Sequence, residues 1–316
     1  MITLYRRLSE PYGGMAERKT IPVRPSMNRR QAFSALRVSL LLLTLSASAQ
    51  SPEPLGQSKF IATSDGVRIH CLEKGAGPAI LFVPGWTMPA EIWERQIVHF
   101  GKSHRVVAMD PRSQGRSSDA RDGHYPAVRA RDIKAVVDEL KLAPVVLVGW
   151  SLGAVETAAY VDRYGTQTVK ALVFVDGRVG DDFHAEQTTL LLRRMNAYQT
   201  NRPAFTRGFV QSLFKKPQSE EYLERVTAAS LRTPEDSAVA LLLGYLTADY
   251  RPALAKIDTP TLLFVAGRAP DHGVKLEMQK QIPEAELEIF DDAGHAMFVD
   301  EPERFNTRLE KFLNQS

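Results

Sequence analysis

The sequence predicts an α/β protein: a mostly parallel central sheet with helices on both faces and a helical lid above one edge. Three observations carry that expectation. Short β-branched apolar runs recur without the strict alternation of a half-exposed strand, as buried parallel strands do. Segments of helical period separate them, the pattern of strand, crossover helix and parallel strand. Residues 178–250 carry helical period alone.

Taken in order, runs 59–63 and 67–73 flank Ser64-Asp65-Gly66, a hairpin signal that opens the sheet. Four buried-strand runs follow at 79–83, 105–109, 144–148 and 171–175. Between them the period becomes helical, with Trp93, Ile97 and Phe100, then Ile133, Val136, Val137 and Leu140, then Val155, Ala158 and Ala159. Within the helical block, Thr233 reads as an N-cap followed by Pro234 and Asp236, opening a helix that carries Leu241, Leu242 and Tyr245. Two more strands are expected at 261–265 and 286–290, with Val274, Met278 and Ile282 on the helix between them. The last helix buries Phe305, Leu309 and Phe312. The core is thus expected at 59–177 and 251–316, and the lid at 178–250.

The composition is that of an ordinary globular chain: 316 residues, 44% hydrophobic and 24% charged. Its net charge of +3 misleads, because the first 49 residues hold 8 of the 40 Lys+Arg and only 2 of the 37 Asp+Glu. The remainder is net −3, without the concentrated basic face that a nucleic-acid partner requires. From Met27 the chain reads as a signal peptide, residues 27–49. Arg29, Arg30 and Arg37 form its positive region, residues 38–45 its apolar core and Ala47-Ser48-Ala49 its cleavage site. An exported protein, periplasmic or secreted, would then begin at Gln50. The apolar run falls well short of the ~20 residues of a membrane anchor. Residues 1–26 read as a non-native or untranslated leader, and 50–58 as a linker. Cys71 is the sole cysteine, so neither an intramolecular disulfide nor a thiolate metal site can form.

Chemistry concentrates at Gly149-Trp150-Ser151-Leu152-Gly153, which lies between an expected strand and an expected helix. A serine hydroxyl is a weak nucleophile, and a sharp strand-to-helix turn exposes it at a helix N-terminus while small residues let the backbone pass. His295, in Asp291-Asp292-Ala293-Gly294-His295, lies just beyond a late strand and before the last helix, where an imidazole could take the Ser151 proton. The N–H of Leu152 and that of Trp86, in Pro84-Gly85-Trp86-Thr87, are the candidate oxyanion donors.

These motifs resemble the α/β-hydrolase superfamily, and within it the branch of cofactor-free chloroperoxidase-like esterases, over roughly residues 59 to 314. Pro84-Gly85-Trp86 with Ile92-Trp93 resembles the family's H-G-W…W segment, and residues 110–118 resemble its D-x-R-G-x-G-x-S loop. Asp249-Tyr250-Arg251-Pro252 with Ile257-Asp258-Thr259-Pro260 resembles its lid exit. Pro84, Ser113 and Ala154 depart from the usual His, Gly and Gly, which bears on the shape of the oxyanion loop and on substrate range.

The resemblance implies a Ser-His-Asp triad with no cofactor and no metal. Asp271, after the seventh strand, gives the superfamily order Ser, Asp, His, although it lies one residue further from Gly267 than G-x-x-D spacing gives. Asp176, at the end of the sixth strand, is the alternative acid, and Asp292 is disfavoured by its closeness to His295. The expected reaction is hydrolysis of a small-molecule carboxylic ester. C–C bond hydrolysis, or perhydrolysis and haloperoxidation on the same triad, is the alternative, and a ligand-binding protein without turnover is the reading from another class. Leu191, Met195, Phe205, Phe209, Phe214 and Leu242 are candidates for an apolar acyl pocket.

Overall fold

A computed structural model describes residues 54–180 and 185–316. The leader and the signal peptide expected from the sequence lie outside them. The described residues form eight strands, with helices between them from the third onward: β1 (Gln57–Ala62), β2 (Arg68–Lys74), β3 (Ala79–Val83), β4 (Arg105–Asp110), β5 (Val145–Trp150), β6 (Val169–Val175), β7 (Thr261–Ala266) and β8 (Glu286–Phe290). They form one sheet in the order β1-β2-β4-β3-β5-β6-β7-β8. β1 and β2 pair as an antiparallel hairpin closed by a Thr63 N–H to Val67 C=O bond of 2.8 Å. β2 meets β4 antiparallel, and every later pairing is parallel.

The central strands β3 and β5 are buried along their whole length, which is why they read as unbroken apolar runs. Alternate side chains serve opposite layers. Ile80, Phe82, Val106, Ala108, Val146 and Val148 face α1 (Glu94–Phe100), α10 (Met297–Asp300) and α11 (Pro302–Leu313). Leu81, Val83, Val107, Met109 and Leu147 face α2 (Pro126–Glu139), α3 (Leu152–Tyr164) and α9 (His272–Lys280). An aromatic stack anchors the first layer: Trp93 lies on Phe298 with ring centroids 4.0 Å apart, and Phe305 lies on Phe264 at 4.4 Å.

Between β6 and β7 the chain leaves the sheet and builds α4 (Ala185–Thr200), α5 (Arg202–Ser212), α6 (Glu220–Ser230), α7 (Glu235–Thr247) and the short α8 (Arg251–Leu254). Asn201 caps α5 through the Ala204 N–H, and Ser219 caps α6 through the Tyr222 N–H. The expected cap of α7 shifts by one residue. Pro234, not Thr233, is its N-cap, because the main chain of Thr233 is already engaged: its N–H donates to Ser230 and its carbonyl accepts from Arg202. Among the described residues, no helix is long and apolar enough to cross a membrane.

Strand order reverses between β3 and β5, the position in an open α/β sheet where a crevice forms beyond the carboxyl ends. The loops after β3, β5, β6, β7 and β8 all leave from that edge, and they carry Trp86, Ser151, Asp176, Asp271 and His295.

The packing predicts an asymmetric response to truncation. Phe305→Ala removes a fully buried ring and should lower the unfolding free energy by ~3–5 kcal/mol in urea titration, whereas Val98→Ala, at 47% exposure on α1, should change it by less than about 0.5 kcal/mol. Equal effects at the two positions would contradict this core.

Candidate active site

Ser151 sits where β5 ends and α3 begins, with φ 57° and ψ −116°. A non-glycine residue rarely takes a positive φ, and the strain persists only because the surroundings enforce it. The enforcement is visible on both sides. A Cβ added at Gly149 would come 2.4 Å from the Gly153 carbonyl oxygen, and one at Gly153 would come 2.4 Å from the Val83 carbonyl oxygen, so only glycine lets the elbow close against β3. Leu152 is the first residue of α3, where backbone N–H groups have no partner within the helix.

The loop after β3 lies directly against the serine: a Cβ placed on Gly85 would be 3.0 Å from the Ser151 Cβ. Gln114, buried in the loop after β4, donates its amide to the carbonyls of Gly85 (3.0 Å) and Met88 (2.9 Å). A trans peptide is planar, so holding the Gly85 carbonyl toward Gln114 turns the Trp86 N–H the opposite way. Gln114 is itself held from behind. It accepts from Arg129 Nη2 at 2.9 Å, and buried Arg129 pairs with Glu156 of α3 at 2.6 Å. The lid reaches the same loop: the Trp86 indole donates to the Ala238 carbonyl at 2.8 Å, and the Thr87 hydroxyl meets that of Ser230 at 2.7 Å.

The acid beside His295 is Asp176, which corrects the preference for Asp271. Asp176 Oδ2 lies 2.6 Å from His295 Nδ1, while Oδ1 accepts from the Ala266 N–H at 2.9 Å and from Lys275 Nζ at 2.7 Å. Asp176 is 3% exposed and has φ 44°, a second strained residue at this edge. Burial pushes its carboxyl upward, but the imidazole bond, the charges of His295 and Lys275 and the Ala266 N–H outweigh it and hold the group at about 2. The added residue after Gly267 carries Asp271 to the N-cap of α9, where Oδ1 meets Lys275 one turn on, at 2.7 Å. Asp292 points to solvent and pairs with Lys215 at 3.1 Å.

Ser151, His295, Asp176, Trp86, Leu152, Lys275 and Asp271 all border one cavity of about 910 Å³. Of the acyl-pocket candidates, Leu191, Phe205, Phe209, Phe214 and Leu242 line it, joined by Leu241 and Tyr245, while Met195 is buried outside the lining. A second serine, histidine and aspartate set lies elsewhere: His70 bonds Asp110 at 2.7 Å and Ser58 at 3.0 Å. None of those three borders this cavity, and Asp110 is occupied in tying the Ala90 and Arg116 N–H groups. Among the described residues, no group of three or more His, Cys, Asp or Glu side chains could hold a metal ion.

Three positions went unread in the sequence. Gln114 lies inside a recognised loop, but at a variable place in it. Lys275 occurs in an amphipathic helix with no motif around it, and the i, i+4 spacing from Asp271 was the available clue. Buried Asp300 accepts from the Gly294 N–H at 2.7 Å and the Lys215 N–H at 2.8 Å, fastening the His295 loop to the segment after α5.

An eight-stranded sheet of this order, with a strained serine between β5 and α3 and a histidine after β8, defines an α/β-hydrolase. The family model described as "Alpha/beta hydrolase family" matches residues 80–308, and the chain belongs to that family. It is an enzyme, and several of its relatives are named non-heme chloroperoxidases. The non-heme chloroperoxidase CPO-A1 of Kitasatospora aureofaciens is 26% identical over 274 residues, 80% of this chain and 98% of that one. The bifunctional esterase/perhydrolase of Acinetobacter calcoaceticus is 28% identical over 278 residues, 80% of this chain and 99% of that one. In fold, the chain matches an esterase from Exiguobacterium antarcticum with a TM-score of 0.77 at 23% identity, over 82% of this chain and all of that one.

The acidity of Asp176 gives a stability prediction. Its carboxyl lies near 3.8 when unfolded and at about 2 when folded, so its stabilisation is complete above the unfolded value and is lost as pH falls through the folded one. Urea unfolding should show the wild type losing about 2 kcal/mol between about pH 5 and pH 2 that Asp176→Asn does not lose. Identical pH slopes for the two proteins would contradict the assignment.

Proposed function

We propose that the protein hydrolyses a small-molecule carboxylic ester through an acyl-enzyme, with Ser151 as nucleophile, His295 as general base and Asp176 as the acid that orients it. The observation that carries this reading is the grouping at one cavity edge of an elbow serine, a histidine, and a buried ionised carboxylate on the histidine's Nδ1. With Nδ1–H donated in a hydrogen bond to Asp176, which stays ionised, Nε2 is left free to accept the Ser151 proton as Oγ attacks the carbonyl carbon. The C=O π pair moves onto oxygen, where the N–H groups of Leu152 and Trp86 receive it. Collapse expels the alcohol, protonated by the imidazolium. A water deprotonated by His295 then attacks the acyl carbon and returns Ser151 and the acid. The orientation of the Gly85 peptide supports Trp86 as a donor, and the ring of Leu191, Phe205, Phe209, Leu241 and Leu242 supports an apolar acyl group.

Perhydrolysis on the same triad has its own support in the Acinetobacter relative, named for both activities. Hydrogen peroxide would replace water in the second half-reaction and release a peracid.

The expected outcome is turnover of short p-nitrophenyl esters and labelling by a fluorophosphonate probe, both abolished in a folded Ser151→Ala variant. Labelling of that variant at the wild-type rate would exclude Ser151. Peroxide-dependent halogenation in acetate buffer, sensitive to the same substitution, assigns the perhydrolase reading, and its absence beside ester turnover assigns the hydrolase.

A further inference from the structure

Lys275 is a buried cation without a role in the triad as set out above. Its ammonium, 2% exposed, lies 2.7 Å from Asp176 Oδ1 and 2.7 Å from Asp271 Oδ1. A lone charge in such a place is costly, so it persists only with well-placed counter-charges. Burial works against its charged form, but Asp176 and then Asp271 more than offset this, and the lysine stays protonated. The row of charged groups therefore runs imidazole, carboxylate, ammonium, carboxylate, from the buried triad acid to half-buried Asp271.

We propose that Lys275, with Asp271 as its counter-ion, is a positioning residue that fixes Asp176 against His295 and sets the pH at which the imidazole becomes an effective base. The inference rests on the triad reading above. Geometry gives the first half. A carboxylate held at Oδ1 by both a main-chain N–H and an ammonium cannot rotate, so Oδ2 stays aimed at Nδ1. Electrostatics gives the second. A carboxylate on Nδ1 attracts the positive charge of the imidazolium, and an adjacent ammonium weakens that attraction. Asp271 in turn partly cancels the ammonium. The same lysine faces Tyr245 of α7, whose phenol burial pushes upward, and Arg178 donates to that phenol at 3.1 Å. The charged and titratable groups around Lys275 are thus Asp176 from the sheet edge, Asp271 from its own helix start and Tyr245 with Arg178 from the lid side, while Arg194, Lys215 and Arg268 border the cavity that His295 faces.

Removing either partner moves His295 in a predictable direction. In Lys275→Met the imidazolium loses a repelling charge, so the imidazole pKa rises by about one unit. In Asp271→Asn the ammonium acts uncancelled, so it falls by a similar amount. The double variant returns close to wild type, and Lys275→Arg stays close to it. Side-chain NMR titration of His295 reads the shifts without turnover, and the acidic limb of kcat/KM for p-nitrophenyl acetate should move with them. A merely structural role would lower kcat or stability but would not give shifts of opposite sign. An unmoved imidazole pKa, or shifts of one sign in both single variants, overturns the proposal, and half-exposed Asp271 keeps the test open should Lys275→Met fail to fold. Opposite NMR shifts with an unmoved kinetic limb would leave the tuning in place and instead remove His295 as the kinetic base.

Discussion

A carboxylate stays ionised inside a protein when hydrogen bonds and opposite charge replace the water it loses, and Asp176 shows how far the surrounding fold is arranged to supply them. The donors come from three separated stretches: Ala266 at the end of β7, Lys275 on α9 and His295 after β8. They converge because parallel strands β6, β7 and β8 end at one edge and release their loops on the same side. The strained backbone of Asp176 is a local cost of that arrangement, offset by three hydrogen bonds to a buried carboxylate.

The other half of the site is built by close approach. Glycines bring the elbow, β3 and the following loop within contact distance of one another, and the side chain of Gln114 fixes which way the Gly85 peptide faces. The lid takes part in this half as well. Ala238 and Ser230 hold Trp86 and Thr87 of the loop after β3, while the segment after α5 is fastened to the His295 loop through Asp300. The helical insertion therefore both roofs the apolar cavity and holds the loops that define it.

Much of this was legible in the sequence because periodicity reports burial. The unbroken apolar runs of β3 and β5, the hairpin at Ser64-Asp65-Gly66 and the elbow around Ser151 each follow from local chemistry that tertiary context reinforces. The acid was not legible. Asp176 and Asp271 both follow strands that end at the same edge, either gives the order Ser, Asp, His, and the resemblance favoured the position after the seventh strand. The choice between them turns on one extra residue after Gly267 and on a lysine one turn into α9 that bridges Asp271, four residues before it, to Asp176, 99 residues before it. The Gln114 brace was hidden for the same reason: its contacts, Gly85 and Arg129, lie 29 and 15 residues away.

The central claim, that Asp176 completes the site with Ser151 and His295, is tested most directly by comparing kcat for Asp176→Asn and Asp271→Asn on one ester at the pH optimum of each variant. An asparagine at the triad position keeps the shape but favours the wrong tautomer of the histidine, so Asp176→Asn should remain folded while turnover falls by up to ~10⁴-fold, and Asp271→Asn should stay within about tenfold of wild type. A nearly active Asp176→Asn beside an inactive, folded Asp271→Asn would contradict the account.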